Sequence, residues 1–262
     1  MSFCFTPNNL EYYTFETPPL ADTVHGVFTR KGGISSTPFR SLNLGGAIGD
    51  TQENVRENRK RIFEAIDRPV DSLFDVWQVH SSEIVCTDRP RILSEPHQKA
   101  DAIFTNHPDI TLLMRFADCV PILIYDPVKK VVGIIHAGWQ GTVNQIVVNA
   151  LERIKLEYKC SPGDIIAAIG PSIGPDHYTI GDEVYKIAYP VFKEVHEDVL
   201  THEEGRIFFN LWKANGYLLD KAGVKQVTYS NICTACDIEK WYSHRAENGK
   251  TGRFAAVIGL KG

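Results

Sequence analysis

Apolar residues along the chain fall into short runs separated by glycine, proline and charged positions. Runs of this kind, bounded by turn residues, are typical of buried strands. They predict strands over residues 24–28, 74–80, 83–86, 102–105, 111–116, 122–125, 131–136, 165–169, 226–229 and 254–259. Residues 126–130, which include Pro127, predict a hairpin turn between two of these strands.

Helical spacing of apolar positions predicts helices over residues 51–65 and 142–158, and near residues 183–194 and 209–222. Asp50 or Thr51 is the expected N-cap of the first helix. Consecutive strands with interspersed helices favour mixed sheets packed against helices over a regular βαβ repeat. The sequence has no repeat, low-complexity tract or long polar linker. We therefore predict one α/β (α+β) domain spanning residues 1–262.

Composition narrows the class of protein. The chain is 43% hydrophobic and 23% charged with a net charge of −4, which is ordinary for a globular protein and predicts no nucleic-acid partner. No apolar run approaches the roughly 18 residues that span a bilayer, so we predict no membrane partner. The N-terminal stretch Met1-Ser2-Phe3-Cys4-Phe5-Thr6-Pro7 lacks the basic and apolar regions of a signal peptide. We therefore expect a cytoplasmic protein with scattered free thiols; the oligomeric state is left open.

Three strand ends each present one soft metal ligand: His80, Cys119 and His136. Two imidazoles and one thiol match a catalytic zinc site, in which three protein ligands leave the fourth position for water or substrate. A structural zinc site would need a fourth protein ligand. The spacing is not a local zinc motif, so three unrelated half-buried residues are the alternative interpretation.

Two residues beside Cys119 extend this candidate site. In an extended strand Arg115 and Cys119 share one face, so a guanidinium and a thiol would point into the same space. Asp118 is a candidate partner of a ligand or a general base. The same residues also fit a metal-free site, with Cys119 as nucleophile, His136 or His80 as its base and Asp118 orienting the base.

Other motifs are ambiguous from the residues alone. Arg30-Lys31-Gly32-Gly33-Ile34-Ser35 combines cations with flexible backbone and predicts either an anion-binding loop or a plain glycine turn, which is slightly favoured. Thr251-Gly252-Arg253 offers the same two interpretations. Cys233-Thr234-Ala235-Cys236 is a Cys-x-x-Cys motif without the second pair of a zinc ribbon. Packing is therefore favoured for this pair over redox chemistry.

Several stretches, in chain order and covering almost the whole chain, together resemble one family. They are Thr29-Arg30-Lys31-Gly32-Gly33-Ile34-Ser35, Ser41-Leu42-Asn43-Leu44-Gly45, Gln78-Val79-His80, Ala117-Asp118-Cys119-Val120-Pro121, His136-Ala137-Gly138-Trp139, Gly170-Pro171-Ser172-Ile173-Gly174-Pro175, Trp241-Tyr242-Ser243-His244-Arg245 and Thr251-Gly252-Arg253. The chain resembles the laccase-domain family, also called the YfiH-like or polyphenol oxidase family.

The resemblance implies one α/β domain of packed mixed sheets with helices outside. It implies a metal on His80, Cys119 and His136, with zinc favoured and copper as the alternative. The implied activity is phosphorolysis of adenosine, inosine and 5′-methylthioadenosine, with adenosine deamination as a companion activity. The expected partners are therefore a purine nucleoside and phosphate. Members of the family have also been described as copper-dependent polyphenol oxidases and as hydrolytic editors of peptidoglycan precursors.

Phosphorolysis needs an anion site and a held ribose. We expect Arg30, the Gly32-Gly33 loop and Arg253 to contribute to phosphate binding, and Asn43 to hydrogen-bond ribose or base. Arg115 completes the expected substrate-binding residues.

The expected catalytic residues are Asp118, Cys119 and His136. The metal would polarise substrate or activate water, and Asp118 would move the proton in deamination. The oxidase alternative is weaker, because a strict laccase needs several coppers and paired His-x-His motifs, and this sequence contains no His-x-His.

The chain departs from the family pattern at two places. Gln140-Gly141 follows the His-Ala-Gly-Trp motif where the family usually has Arg-Gly, which removes a cation from the rim of the site. Asp176-His177-Tyr178 stands after Gly174-Pro175 where many members carry cysteines. This change places a carboxylate and an imidazole there, and His177 becomes an additional candidate metal ligand, with less support than His80, Cys119 and His136.

Overall fold

The strands and helices of the protein follow its alternating apolar pattern. The computed structural model describes residues 2–6 and 9–262, so Met1 and Pro7 of the N-terminal stretch lie outside the described residues. The strands are β1 (Ser2–Phe5), β2 (Glu11–Thr14), β3 (Thr23–Phe28), β4 (Leu73–Phe74), β5 (Ile84–Cys86), β6 (Ala102–Thr105), β7 (Thr111–Phe116), β8 (Val120–Asp126), β9 (Val131–Ala137), β10 (Ile166–Ile169), β11 (Thr179–Ile180), β12 (Leu200–Glu203), β13 (Arg206–Phe209), β14 (Gln226–Tyr229) and β15 (Phe254–Leu260). The α-helices are α1 (Gln52–Ala65), α2 (Trp139–Val143), α3 (Ile146–Tyr158), α4 (Asp182–Val191), α5 (His196–Val199) and α6 (Leu211–Lys221).

The described strands form two six-stranded sheets and one small sheet. The first has the order β1-β2-β3-β15-β7-β4, the second β14-β10-β8-β9-β6-β5, and the third β11-β13-β12. Most neighbouring strands are antiparallel, but β4 runs parallel to β7, β5 to β6, and β10 to β14. The predicted mixed α/β architecture is therefore confirmed.

Alternating side chains of the central strands divide the interior into layers. In β7, Leu112 and Met114 pack between the two large sheets, whereas Leu113 packs on the opposite face with Ile62 of α1. Strands β8 and β9 likewise give one face to the space between the sheets and the other to α3 and α6. The order of layers is α1, first sheet, second sheet, and the remaining helices, because a sheet buried on both faces needs an apolar partner on each side.

The strand predicted over residues 74–80 is wrong beyond Phe74, where β4 ends. Asp75 follows β4 directly, and its fully buried carboxyl group bonds to Arg91 and Arg115. His80 has a φ of 58°, which ends any extended conformation. The segment after Phe74 is therefore a loop that contains the buried Asp75 ion pairs and the left-handed residue His80.

The helix predicted over residues 142–158 is also incorrect in one respect. It is divided into α2 and α3 at Gln145, which has a φ of 57°. Strands β1, β2, β11, β12 and β13 were not predicted, and neither was the short helix α5. Thr51 caps α1 by accepting a hydrogen bond from the Asn54 N–H, as one of the two expected caps. Within the described residues, none of the helices has the length and apolarity needed to cross a membrane.

Candidate metal centre and cleft

The register of two neighbouring strands brings Cys119 and His136 together. Pro121 of β8 pairs with His136 of β9, so Cys119 lies at the same end of this strand pair. Asp118 has a φ of 81° and turns the chain sharply between β7 and β8. Gly138 follows β9, and a Cβ atom there would lie 2.8 Å from Cys119 Sγ. Glycine at this position leaves the thiol its space.

Asp101, directly before β6, holds both histidines. Its backbone carbonyl accepts the His136 N–H at 2.7 Å, and its Oδ1 lies 2.8 Å from His136 Nδ1. The same carboxylate accepts hydrogen bonds from the N–H groups of Val79 at 3.2 Å, His80 at 3.0 Å and Ser81 at 2.6 Å. With Nδ1 of His136 engaged, Nε2 is the ring nitrogen left to bind a metal.

The three predicted ligands form one cluster. The ligand atoms of His80, Cys119 and His136 all lie within 4.8 Å of one another, and His80 Nε2 is 3.8 Å from Cys119 Sγ. The two imidazole rings meet edge to face with centroids 5.0 Å apart. His136 is buried and His80 is exposed, so the cluster opens toward solvent on one side. This set of two imidazoles and one thiol, open on one side, could hold a metal ion with three protein ligands.

Charges within the cluster shift its pKa values. Burial alone would raise the pKa of the Cys119 thiol, but the neighbouring imidazoles of His136 and His80 lower this pKa to about 6. Burial would lower the pKa of His136, but Cys119 and Asp101 raise it to about 9. Burial would raise the pKa of Asp101, but the hydrogen bond and charge of His136 together with hydrogen bonds from Ser81 lower it to about 2. Without a metal, the structure therefore favours a thiolate beside an imidazolium.

The cluster lies in a cleft of about 730 Å³, a volume typical of small-molecule sites. Its lining includes the aromatic side chains of Trp77, Trp139 and Tyr178. Gln140, one of the departures from the family pattern, also lines the cleft. Flat aromatic surfaces beside polar donors suit a ligand that combines a planar ring with charged or hydroxyl groups.

The cleft wall carries an excess of positive charge. Four arginines line it, Arg59, Arg115, Arg245 and Arg253, against a single carboxylate, Asp118, among the residues the structure describes. The Nε atom of Arg59 is buried and has no hydrogen-bond partner within residues 2–6 and 9–262. A buried donor without a partner is costly, so the Arg59 guanidinium retains hydrogen-bonding capacity that the described residues do not use.

Two of the arginines predicted to bind substrate line this cleft. Arg115 reaches it while its Nη1 donates to the carboxylate of Asp75 at 2.9 Å. Arg253 reaches it with its Nη1 held by the Gly252 carbonyl at 2.8 Å. Burial lowers the pKa of Arg253, and the charges of Cys119 and Asp118 partly oppose this shift.

The Arg30 loop, in contrast, does not line the cleft within the described chain. The Arg30 guanidinium bonds to Glu247 at 3.0 Å and stacks over the Tyr242 ring at 4.4 Å. Gly32 has a φ of 85°, and the Gly33 N–H donates to Ser41 Oγ at 3.1 Å. These contacts fit the glycine-turn interpretation, and the expected phosphate contact from this loop does not agree with the geometry.

Asn43 is also committed to the protein interior. It is fully buried and is absent from the described cleft lining. Its amide donates to the Gly45 carbonyl at 3.2 Å and to Asp50 at 2.8 Å, and its Oδ1 accepts from the Arg253 N–H at 2.9 Å. The expected direct bond to ribose or base does not fit this arrangement, in which Asn43 instead supports the segment that carries Arg253.

Asp118 lines the cleft, and both of its carboxylate oxygens accept hydrogen bonds from the protein. Thr234 Oγ1 donates to Oδ1 at 2.7 Å, and the Arg245 N–H donates to Oδ2 at 2.6 Å. The residue that orients His136 is Asp101 rather than Asp118. Asp101, Arg59 and Arg245 are the cleft or cluster residues that the sequence reasoning missed.

The fold and site define a mixed α/β protein with a two-histidine, one-cysteine cluster in an arginine-lined cleft. Residues 24–261 match the family described as multi-copper polyphenol oxidoreductase laccase, and the chain belongs to this family.

Curated relatives carry a more specific name. The chain is 34% identical over 250 residues to purine nucleoside phosphorylase YlmD of Bacillus subtilis, covering 92% of this chain and 89% of the relative. It is 37% identical to a purine nucleoside phosphorylase of Deinococcus radiodurans, covering 90% of this chain and 88% of the relative. The crystal structure of YlmD from Geobacillus stearothermophilus superposes with a TM-score of 0.92 at 32% identity, covering 99% of each chain.

The shifted pKa of Cys119 predicts the pH dependence of its alkylation. In metal-free protein, iodoacetamide should modify Cys119 at a rate that rises with pH with a midpoint at about pH 6, because the thiolate is the reactive form. An ordinary thiol would show this midpoint at about pH 8.5. Peptide mass spectrometry measures the rate, with Cys119→Ser as the control that assigns the signal. A midpoint near the ordinary value would contradict the thiolate–imidazolium pair.

Proposed function

We propose that this protein is a zinc-dependent purine nucleoside phosphorylase that converts a nucleoside and phosphate into free base and ribose-1-phosphate. One observation carries the proposal: the His80, Cys119 and His136 cluster opens into a cleft whose wall has four arginines and one carboxylate among the described residues. Such a wall favours an anionic co-substrate, and the names of the curated relatives agree with phosphorolysis.

The donor set fits a zinc ion. Two imidazoles and a thiol whose pKa is already lowered supply three ligands, and Asp101 orients His136 as carboxylates do for zinc-bound histidines. Copper would compete for the same ligands, which is why metal identity belongs in the test. When bound, the metal would supply Lewis-acid polarisation of a substrate oxygen.

The guanidinium groups of Arg59, Arg115 and Arg253 are the proposed phosphate-binding groups. Arg59 has a buried Nε without a hydrogen-bond partner among the described residues, whereas Arg115 donates from Nη1 to Asp75 and from Nη2 to the Val76 carbonyl and would act on phosphate through its charge. Arginine is suited to phosphate because its planar donors bind two oxygens at once. Holding phosphate beside the sugar would convert a two-molecule encounter into a positioned reaction.

The aromatic wall is the proposed binding site for the base. Trp77, Trp139 and Tyr178 line the same cleft as the arginines, and adenosine, inosine or 5′-methylthioadenosine would stack its purine there. Asp118 is the carboxylate on the wall within the described chain, so it is the proposed proton carrier for adenosine deamination. Its two hydrogen bonds from Thr234 and Arg245 would fix its position for that step.

One specific observation supports a second candidate, a cysteine hydrolase. Cys119, His136 and Asp101 form a thiolate, imidazolium and carboxylate series that resembles a nucleophile, base and orienting acid. An amide such as a peptidoglycan precursor would be the substrate. The copper oxidase alternative has less support, since the described residues offer one two-histidine cluster rather than the several copper sites of a laccase.

Phosphate dependence tests the proposal. Protein purified without added metal should release adenine from adenosine and hypoxanthine from inosine only when phosphate is present, with ribose-1-phosphate formed in equal amount. Chromatography of both products and metal analysis of the same sample provide the measurement. Equal turnover without phosphate would instead indicate hydrolysis. No turnover of any nucleoside would overturn the proposal and move the search to amide substrates.

Arg59→Gln tests the anion site. We expect the KM for phosphate to rise about 10- to 100-fold, because a charge-assisted hydrogen bond contributes about 1.5–3 kcal/mol. Arg56→Gln is the matched control on the same helix, since Arg56 is exposed and does not line the cleft. Steady-state kinetics at varied phosphate provide the measurement. An unchanged KM in Arg59→Gln, or an equal rise in both variants, would remove Arg59 from the phosphate site.

A further inference from the structure

A second cluster of metal-binding side chains lies apart from the proposed catalytic centre. It joins both halves of the Cys233-x-x-Cys236 motif to Asp176 and His177, which is one of the two departures from the family pattern. The segment after β10 and the segment after β14 carry these residues, and the two segments pair through a parallel bridge between Ser172 and Cys233. The fold therefore brings together two pairs of side chains, 176–177 and 233–236, that are far apart in sequence.

The four ligand atoms have nearly the spacing of a tetrahedral metal site. All of them lie within 4.8 Å of one another. His177 Nδ1 is 3.8 Å from Cys233 Sγ, 3.7 Å from Cys236 Sγ and 3.0 Å from Asp176 Oδ1. Zinc–sulfur bonds of about 2.3 Å and zinc–nitrogen or zinc–oxygen bonds of about 2.0–2.2 Å imply tetrahedral edges of roughly 3.3–3.8 Å. Small side-chain adjustments would close this cluster around one ion.

We propose that Asp176, His177, Cys233 and Cys236 bind a second zinc ion, which is structural rather than catalytic. Four protein ligands leave no position for water or substrate, unlike the three ligands at His80, Cys119 and His136. Two thiolates and an imidazole select zinc over the hard ions magnesium and calcium. The proposal is independent of the function proposed above.

The backbone around the cluster is arranged to support a thiolate. The Gly174 N–H donates to Cys233 Sγ at 3.1 Å, the kind of amide–sulfur contact that stabilises a metal-bound sulfur. A Cβ at Gly174 would lie 2.7 Å from Asp176 Oδ1 and 3.1 Å from Cys233 Sγ. Glycine at this position therefore leaves room for the carboxylate and the thiol to approach each other.

The second ion would brace one wall of the cleft. Thr234 lies between the two cysteines and donates to Asp118, whose neighbour is Cys119. Tyr178 follows His177, lines the cleft and packs under the Arg245 guanidinium at 5.0 Å. A metal that joins the two segments would hold Thr234 and Tyr178 in place, which is the function of a structural site.

Measuring the zinc content of variants that each disrupt one of the two clusters tests the proposal. Protein expressed with zinc and purified under reducing conditions should hold about two zinc ions per chain, measured by inductively coupled plasma mass spectrometry. Cys233→Ser/Cys236→Ser should hold about one, Cys119→Ser should also hold about one, and Cys4→Ser in β1 should keep both. A count of one in wild type that falls to zero in Cys119→Ser and is unchanged in Cys233→Ser/Cys236→Ser would overturn the second site.

A second variant tests the site if the double cysteine variant does not fold. Asp176→Ala/His177→Ala changes side chains that are 65% and 41% exposed, so the fold should persist while one zinc is lost. In Cys119→Ser protein loaded with cobalt, a thiolate-to-cobalt charge-transfer band should remain and should vanish when Asp176 and His177 are also replaced. A Cys233–Cys236 disulfide in the reduced preparation, seen as a mass lower by two hydrogen atoms, would contradict the proposal.

Discussion

The buried carboxylate of Asp101 is the constraint on which the centre depends. The fully buried Asp101 carboxylate accepts hydrogen bonds from the N–H groups of residues 79–81 and from the ring of His136. It thereby sets the loop that carries His80 and the orientation of His136. A buried charge persists only when its hydrogen bonds are satisfied, so the carboxylate and the loop stabilise each other. The register of β8 against β9 then places Cys119 beside these two histidines.

A second buried carboxylate, Asp75, organises the positive side of the cleft. Burial alone would raise its pKa, but the hydrogen bond from His97 and the charges of Arg115 and Arg91 hold this pKa well below its usual range. The single carboxylate of Asp75 thus contacts the guanidinium groups of Arg91 and Arg115, and the Nε of Arg59 has no hydrogen-bond partner among the described residues. Four arginines and one carboxylate thus line the cleft among the described residues, and this excess of positive charge favours binding of an anion.

Sequence reasoning went furthest where a pattern was local. The apolar runs located most of the central strands, and the family resemblance indicated the cluster of His80, Cys119 and His136, although His80 lies in a loop beyond β4 and not at a strand end. Sequence reasoning failed for residues whose position in the site depends on the pairing of strands that are distant in sequence. Asp101 stands just before a predicted strand, but only the pairing of β6 with β9 places it opposite His136. Arg59 lies on a helix rich in charge, so nothing in its neighbours distinguishes it from a solvated arginine.

We expect Asp101 to position the proposed metal ligands and so to control both metal binding and turnover. Asp101→Asn, checked for folding by circular dichroism, should be measured for zinc at the His80 cluster and for phosphate-dependent release of hypoxanthine. The account predicts that zinc affinity and turnover fall together, each by about 10- to 100-fold, as for other carboxylates that orient metal-bound histidines. Full turnover with a zinc-depleted cluster would contradict it.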